Sequence, residues 1–352
     1  MDSWMLGLIG AASLLALILL IFLTLHLILV TRLFNGRKVS LFDKQFQAHP
    51  NDGRLPVYSF KKIHKFSEGF SNKVGVGSTH LVFKGILPDG TEIAIKKPIL
   101  EAPHNSDVDA WSKSQLELLS CIWHQHLVNL IGSCKNAGYR ILVFQYASNG
   151  TLHEHLHGHE HLTWKQRMKI IAGVAYGLSF LHHSCDPPIS HGNLTSRNIL
   201  LTEDYAAKIG GLGKMPVLGS SEFVMARKPG ASEKRLCRRA DDVYSFGILV
   251  LEIVSGRLAF SEKTGFLVKW AMDILVSQER SMELLDEAVG DVVKEEVYVI
   301  AEVVRMCLLR EAVRRPFMRE VAEMLRNGLG ITMEMAAPVS SPVSLRGLFD
   351  IL

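Results

Sequence analysis

Three short stretches carry the residue types that chemistry uses. In "VGVGSTHLVFKG", Gly75 and Gly77 stand two apart, ahead of His80 and Val82. Glycines let backbone N–H groups approach a phosphate closely, although a lone Gly-x-Gly is equally a β-turn. "IAIKK" brings Ala94, Lys96 and Lys97 to the end of a β-rich run. A lysine there is a phosphate ligand or an ordinary surface cation. "ISHGNLTSRNILL" gathers His191, Asn193, Thr195 and Asn198. It holds an imidazole, amides and hydroxyls but no carboxylate, the group that would take a proton from an alcohol or hold Mg²⁺.

Two further clusters have a chemical reading and a plainer one. His153, His155, His157, His159 and His161 alternate in "HEHLHGHEH". Imidazole is a common metal ligand, but alternation spreads the rings around a helix, so the run reads as a solvated loop and no metal is expected. Arg227, Lys228, Lys234, Arg235, Arg238 and Arg239 form a basic stretch. It reads first as a solvated face and second as a docking surface for an acidic or phosphorylated partner. The five cysteines are odd in number, widely spaced and form no Cys-x-x-Cys pair, which suits a reducing cytosol and argues against disulfides or a zinc site.

The elements that must position these residues follow from patterning. Of 352 residues, Trp4 to Val30 form one apolar run without Lys, Arg, Asp or Glu. That is long enough for a transmembrane helix over 4–30. Arg32, Arg37, Lys38 and Lys44 follow it, so residues 1–3 are expected outside the cell and the rest inside. A cleaved signal peptide fits less well, because the run is too long and its start has no Lys or Arg. A mixed-charge linker spans 31–56, a globular region 57–328, and a Pro-, Ser- and Ala-containing tail 329–352 reads as disordered. The net charge of +4 and 21% charged residues give no reason to expect nucleic acid.

Within the globular region, short β-rich runs flank Pro88-Asp89-Gly90, a hairpin signal, and "RILVFQYA" reads as another strand. After Gly150 the pattern becomes helical. "WKQRMKIIAGVAYGLSFLHH" sets Ile170, Ile171, Val174, Leu178 and Leu181 on one side, and "DDVYSFGILVLEIVSG" reads as a buried helix ended by Gly256. A strand-rich lobe over 57–146 and a helical lobe over 147–328 make an α+β arrangement with a cleft between them.

In this order, "LPDGTEIAIKK", "HQHLVNLIGSC", "ASNGTLHEHLHG", "SRNILL", "DDVYSFGILVLEIVSG" and "RRPFMREVAEML" resemble the receptor-like protein kinases of plants. The resemblance covers about Tyr58 to Leu325 and implies a bilobal protein kinase-like fold. It implies an ATP cleft lined by Gly75, Gly77, Val82, Ala94, Lys96, Phe144 and Tyr146, with Asn198 as a Mg²⁺ ligand. It also implies losses. Asn193 stands where the family has its catalytic Asp, and Thr195 where a Lys steadies the transferred phosphate. Gln115 stands at the Glu that pairs with the ATP-binding Lys, and Gly211 at the Asp that holds the main Mg²⁺. His80 replaces the third glycine of the loop. Arg227 falls where a Glu would pair with Arg315, leaving two like charges.

Losing a general base typically costs about 10²–10⁴ in rate, and a lost metal clamp costs several kcal/mol more. The expectation is therefore a plasma-membrane pseudokinase that binds other kinases or receptor complexes, and binds ATP weakly and nearly independently of Mg²⁺. An atypical active serine/threonine kinase is the alternative; a decaying gene copy is a third reading.

Overall fold

The computed structural model describes residues 55–77, 80–99, 116–136, 139–158, 161–212 and 231–339, without the side chains of 231–237. The expected membrane span, most of the linker, Gln115, Arg227 and Lys228 lie outside the described residues. Among the described residues no helix is long and apolar enough to cross a membrane.

The first lobe is a five-stranded antiparallel sheet. Its strands are β1 (Lys73–Val76), β2 (His80–Ile86), β3 (Glu92–Pro98), β4 (Leu130–Asn136) and β5 (Tyr139–Gln145), in the order β1-β2-β3-β5-β4. The β2–β3 turn forms where Pro88-Asp89-Gly90 predicts it. Gly90 takes φ +86°, and the Asp89 carboxylate accepts the Thr91 amide at 2.9 Å. Alternation then decides the faces. Phe83, Ile93, Ile95, Ile141 and Val143 turn into one buried cluster with Ile131 and Cys134.

A helix that the sequence reading did not anticipate, α1 (Phe60–Phe66), contributes to that cluster. Ser59 caps it by accepting the Lys62 amide. Its Ile63 is fully buried, and Tyr58 meets Phe66 edge-on at 5.6 Å. The chain is already fixed at Pro56, whose carbonyl accepts the Ser133 amide.

The second lobe is helical. It comprises α2 (Leu152–His157), α3 (Trp164–His183), α4 (Ala231–Ser255), α5 (Leu267–Ile274), α6 (Lys294–Cys307), α7 (Met318–Leu329) and α8 (Met333–Ala336). Thr163 and Gln166 form a reciprocal capping box that starts α3. Its apolar stripe is wider than the sequence reading gave it: Met168, Ala172, Ala175 and Tyr176 are buried too, so α3 is a central helix. The α4 helix ends at Gly256, as expected, with φ +64° and its amide on the Glu252 carbonyl. Two short strands, β6 (Ile199–Leu201) and β7 (Ala207–Ile209), form a hairpin that carries the candidate loop to the cleft.

Two expectations are corrected. The tail is folded as far as Val339. Tyr176 Oη donates to the Ile331 carbonyl at 2.7 Å, Gln125 donates to that of Met333, the Val339 amide donates to Asp204, and Ala336 is fully buried. The first half of the histidine run is α2, not a solvated loop. His153 and His157, four residues apart, share a face, and their ring centroids are 4.7 Å apart.

Candidate functional site

The sheet presents one face to the cleft. Val82 lies opposite Lys96, Ala94 opposite Phe144, and Lys96 also opposite Leu142. Residues opposite each other in a ladder share a face. Val82, Ala94, Lys96 and Phe144 are therefore brought onto one surface, half-buried as a cleft floor would be. Gly75 pairs with Val82 at the edge, and Gly77 donates its amide to the His80 carbonyl, closing the loop above. Tyr146 follows β5, with the Lys84 ammonium 4.8 Å from its ring centroid.

His80 is half-buried at the start of β2. Burial and the Lys96 charge push its imidazole down to about 4, so at neutral pH a neutral ring stands near the ammonium. The ring sits where the resemblance expects a glycine and open backbone.

The loop opposite is held from below. Asp242, on α4 and 1% exposed, accepts three hydrogen bonds. They come from the His191 amide at 2.7 Å, the Gly192 amide at 2.7 Å and His182 Nε2 at 2.9 Å. Gly192 can answer because it sits at φ +71°. The buried His191 ring joins the Gly210 carbonyl at 2.8 Å, which ties the loop to the end of β7. The scaffold that would aim a catalytic side chain is thus in place.

The side chains it carries are amides and hydroxyls. Asn193 and Thr195 are exposed and bear an amide and a hydroxyl. Asn198 turns its amide nitrogen to the Asn193 carbonyl at 2.7 Å. Gly211 sits at φ +81°, and a Cβ there would come within 3.0 Å of the Asn198 side chain. No carboxylate stands at any of these four positions to accept a proton or bind Mg²⁺. Arg315 is not left facing a bare surface. It donates to the carbonyls of Leu309 and Ala240, both at 2.9 Å, and stacks over Tyr244.

Sequence reasoning missed Arg167 in α3. It is 1% exposed and binds the carbonyls of Leu162 at 3.1 Å and Ile253 at 2.5 Å, and Asp286 at 2.6 Å. The sequence signal was weak, because Arg167 stands between Lys165 and Lys169 in the same helix and only packing tells the buried cation from its neighbours.

Comparison with known proteins agrees with this geometry. Residues 69–325 match the protein tyrosine and serine/threonine kinase family. Among curated relatives, MALE DISCOVERER 2 of Arabidopsis thaliana is 36% identical over 309 residues, covering 82% of this chain and 44% of its own. A probable inactive receptor-like protein kinase of Arabidopsis thaliana, At3g56050, is 34% identical over 299 residues, covering 82% and 59%. The chain thus spans about half the length of these relatives. The solved structure of the pseudokinase DRIK1 (drought responsive inactive kinase 1), bound to ENMD-2076, is similar at a TM-score of 0.64 and 28% identity. It covers 79% of this chain and 98% of its own. An apo pseudokinase structure is similar at a TM-score of 0.66 and 28% identity, with the same coverage. With the sheet, the pinned loop and the matched residues in agreement, the chain belongs to the protein tyrosine and serine/threonine kinase family, and it resembles the receptor-like kinases within it, inactive ones included.

Proposed function

We propose that this protein is a membrane-anchored receptor-like pseudokinase, which acts as a scaffold or allosteric partner for active kinases or receptor complexes at the plasma membrane. One observation carries the reading. Asp242 still holds the loop through two backbone amides, yet the loop presents Asn193 and Thr195, and Gly211 stands where a metal-binding carboxylate belongs. A retained support beneath absent chemistry fits a binding role better than phosphoryl transfer, which needs a positioned base and bound metal. The relatives and solved neighbours named inactive kinases or pseudokinases support it.

The cleft retains Lys96 and an apolar floor, so ATP binding is expected to be weak. Asn198 is neutral and Gly211 has no side chain, so Mg²⁺ should add little. Anchoring rests on the apolar run over 4–30 and the basic residues that follow it. In sealed microsomes carrying the full chain, protease added outside is expected to degrade the kinase-like region without detergent. Protection of that region would overturn the orientation. Proximity labelling from the full chain in native membranes is expected to mark receptor kinases above a cytosolic control, and equal labelling would contradict the scaffold role.

A further inference from the structure

The corrected fold of the histidine run brings ligands together away from the cleft floor. His153 and His157 project from one face of α2 toward Glu252 on α4, a carboxylate only 5% exposed. His157 Nε2 is 2.9 Å from Glu252 Oε1, and His153 Nδ1 is 4.0 Å from the same oxygen. One ligand atom from each of the three residues falls within 4.8 Å of the others. Ser196, in the turn that leads to Asn198, donates its hydroxyl to Glu252 at 2.8 Å and lies 3.3 Å from His153 Nδ1.

We propose that His153, His157 and Glu252 form a binding site for a borderline transition-metal cation, with Zn²⁺ as the best-fitting ion. Two imidazoles and one carboxylate make a nitrogen-rich set that suits zinc rather than Mg²⁺ or Ca²⁺, which prefer oxygen. A tetrahedral ion with bonds of about 2.0–2.1 Å separates its ligand atoms by roughly 3.3 Å. The observed separations straddle that value, so side-chain rotations of about 1 Å close the site. Water fills the fourth position, and the Ser196 hydroxyl, which donates to Glu252, already orients the carboxylate as an outer partner should. Binding through His157 Nε2 moves the proton of the neutral ring to Nδ1.

Such an ion would tie α2 to α4 and to the turn bearing Asn198. It would thus add rigidity beneath the silent loop rather than chemistry within it. The site stands whether or not the cleft transfers phosphate.

The test uses the full chain without a polyhistidine tag, dialysed against metal-free buffer and titrated with Zn²⁺, then with Co²⁺ as a spectroscopic probe. The expected result is one Zn²⁺ per chain, a rise in melting temperature by mass action, and visible bands of tetrahedral Co²⁺. His153→Asn, a partly exposed position that folding tolerates, should weaken binding at least tenfold. His161→Asn, in the same run but outside the cluster, should leave it unchanged. Substoichiometric binding, octahedral Co²⁺ spectra, or equal affinity in the His153→Asn variant and the parent would overturn the site.

Discussion

Replacing Arg167 by Ala is expected to lower the thermal midpoint by roughly 6–20 °C. Arg167 is buried and Asp286 partly exposed; losing the pair together with the donor to buried backbone carbonyls costs about 3–5 kcal/mol, and each kcal/mol shifts a domain of this size by about 2–4 °C. The guanidinium joins the start of α3 to the carbonyls at the end of α4 and to Asp286. Without it the Ile253 carbonyl loses this donor, while the Val254 carbonyl keeps the Asp286 amide. The pH dependence has a sign. Burial raises the Asp286 carboxyl, but the Ala288 amide and the Arg167 guanidinium outweigh burial and hold it below the usual range. A depressed carboxyl stabilises the fold above its unfolded value of about 3.9 and loses that contribution as pH falls through its folded value. The gap between parent and variant should therefore narrow between pH 6 and pH 3, while the carbonyl contribution persists. Differential scanning calorimetry across that range reads both effects. A midpoint within 2 °C of the parent at pH 7 would contradict them.

The second large effect is expected from Asp242→Asn. Three donors converge on this carboxylate, and an amide has one acceptor oxygen and turns its NH₂ toward at least one of them. Leaving buried donors unsatisfied costs about 1–3 kcal/mol each, so a loss of about 2–4 kcal/mol is expected. The damage should be local as well as global. Hydrogen exchange at the His191 and Gly192 amides should accelerate beyond the average for the helical lobe. Uniform acceleration would mean that Asp242 supports the lobe and not the loop.

Much of this arrangement is legible in the sequence. Pro88-Asp89-Gly90 fixes the β2–β3 register, and that register places Val82, Ala94, Lys96 and Phe144 on one face. Gly256 ends α4 where its spacing says. The losses at Asn193, Thr195 and Gly211 need only the residue types, because the loop scaffold around them is intact. Other features depend on partners far along the chain. The α1 helix has only seven residues, three of them Lys, and its apolar side, Phe60, Ile63 and Phe66, shows only once it packs on the sheet. The tail has the composition of a disordered segment, yet it docks through backbone carbonyls onto Tyr176 and Gln125, and composition does not register backbone acceptors. The alternating histidines conceal a pair at i and i+4, which counts once the segment is helical. Arg167 is one of three cations at the start of α3, with Lys165 and Lys169, so its burial is not legible, and Asp286 lies too distant in sequence to name as its partner.

The account rests most on catalysis being absent, and one titration tests that directly. The purified full chain is melted with increasing ATP, once with Mg²⁺ and once with EDTA, and the same samples are assayed for phosphate transfer to themselves and to a general protein substrate. The account predicts a small shift that is the same in both series, or none, and no transfer above background, whereas an ordinary kinase turns over at roughly 1–100 s⁻¹. A large shift that requires Mg²⁺, together with transfer that Lys96→Ala abolishes, would contradict it.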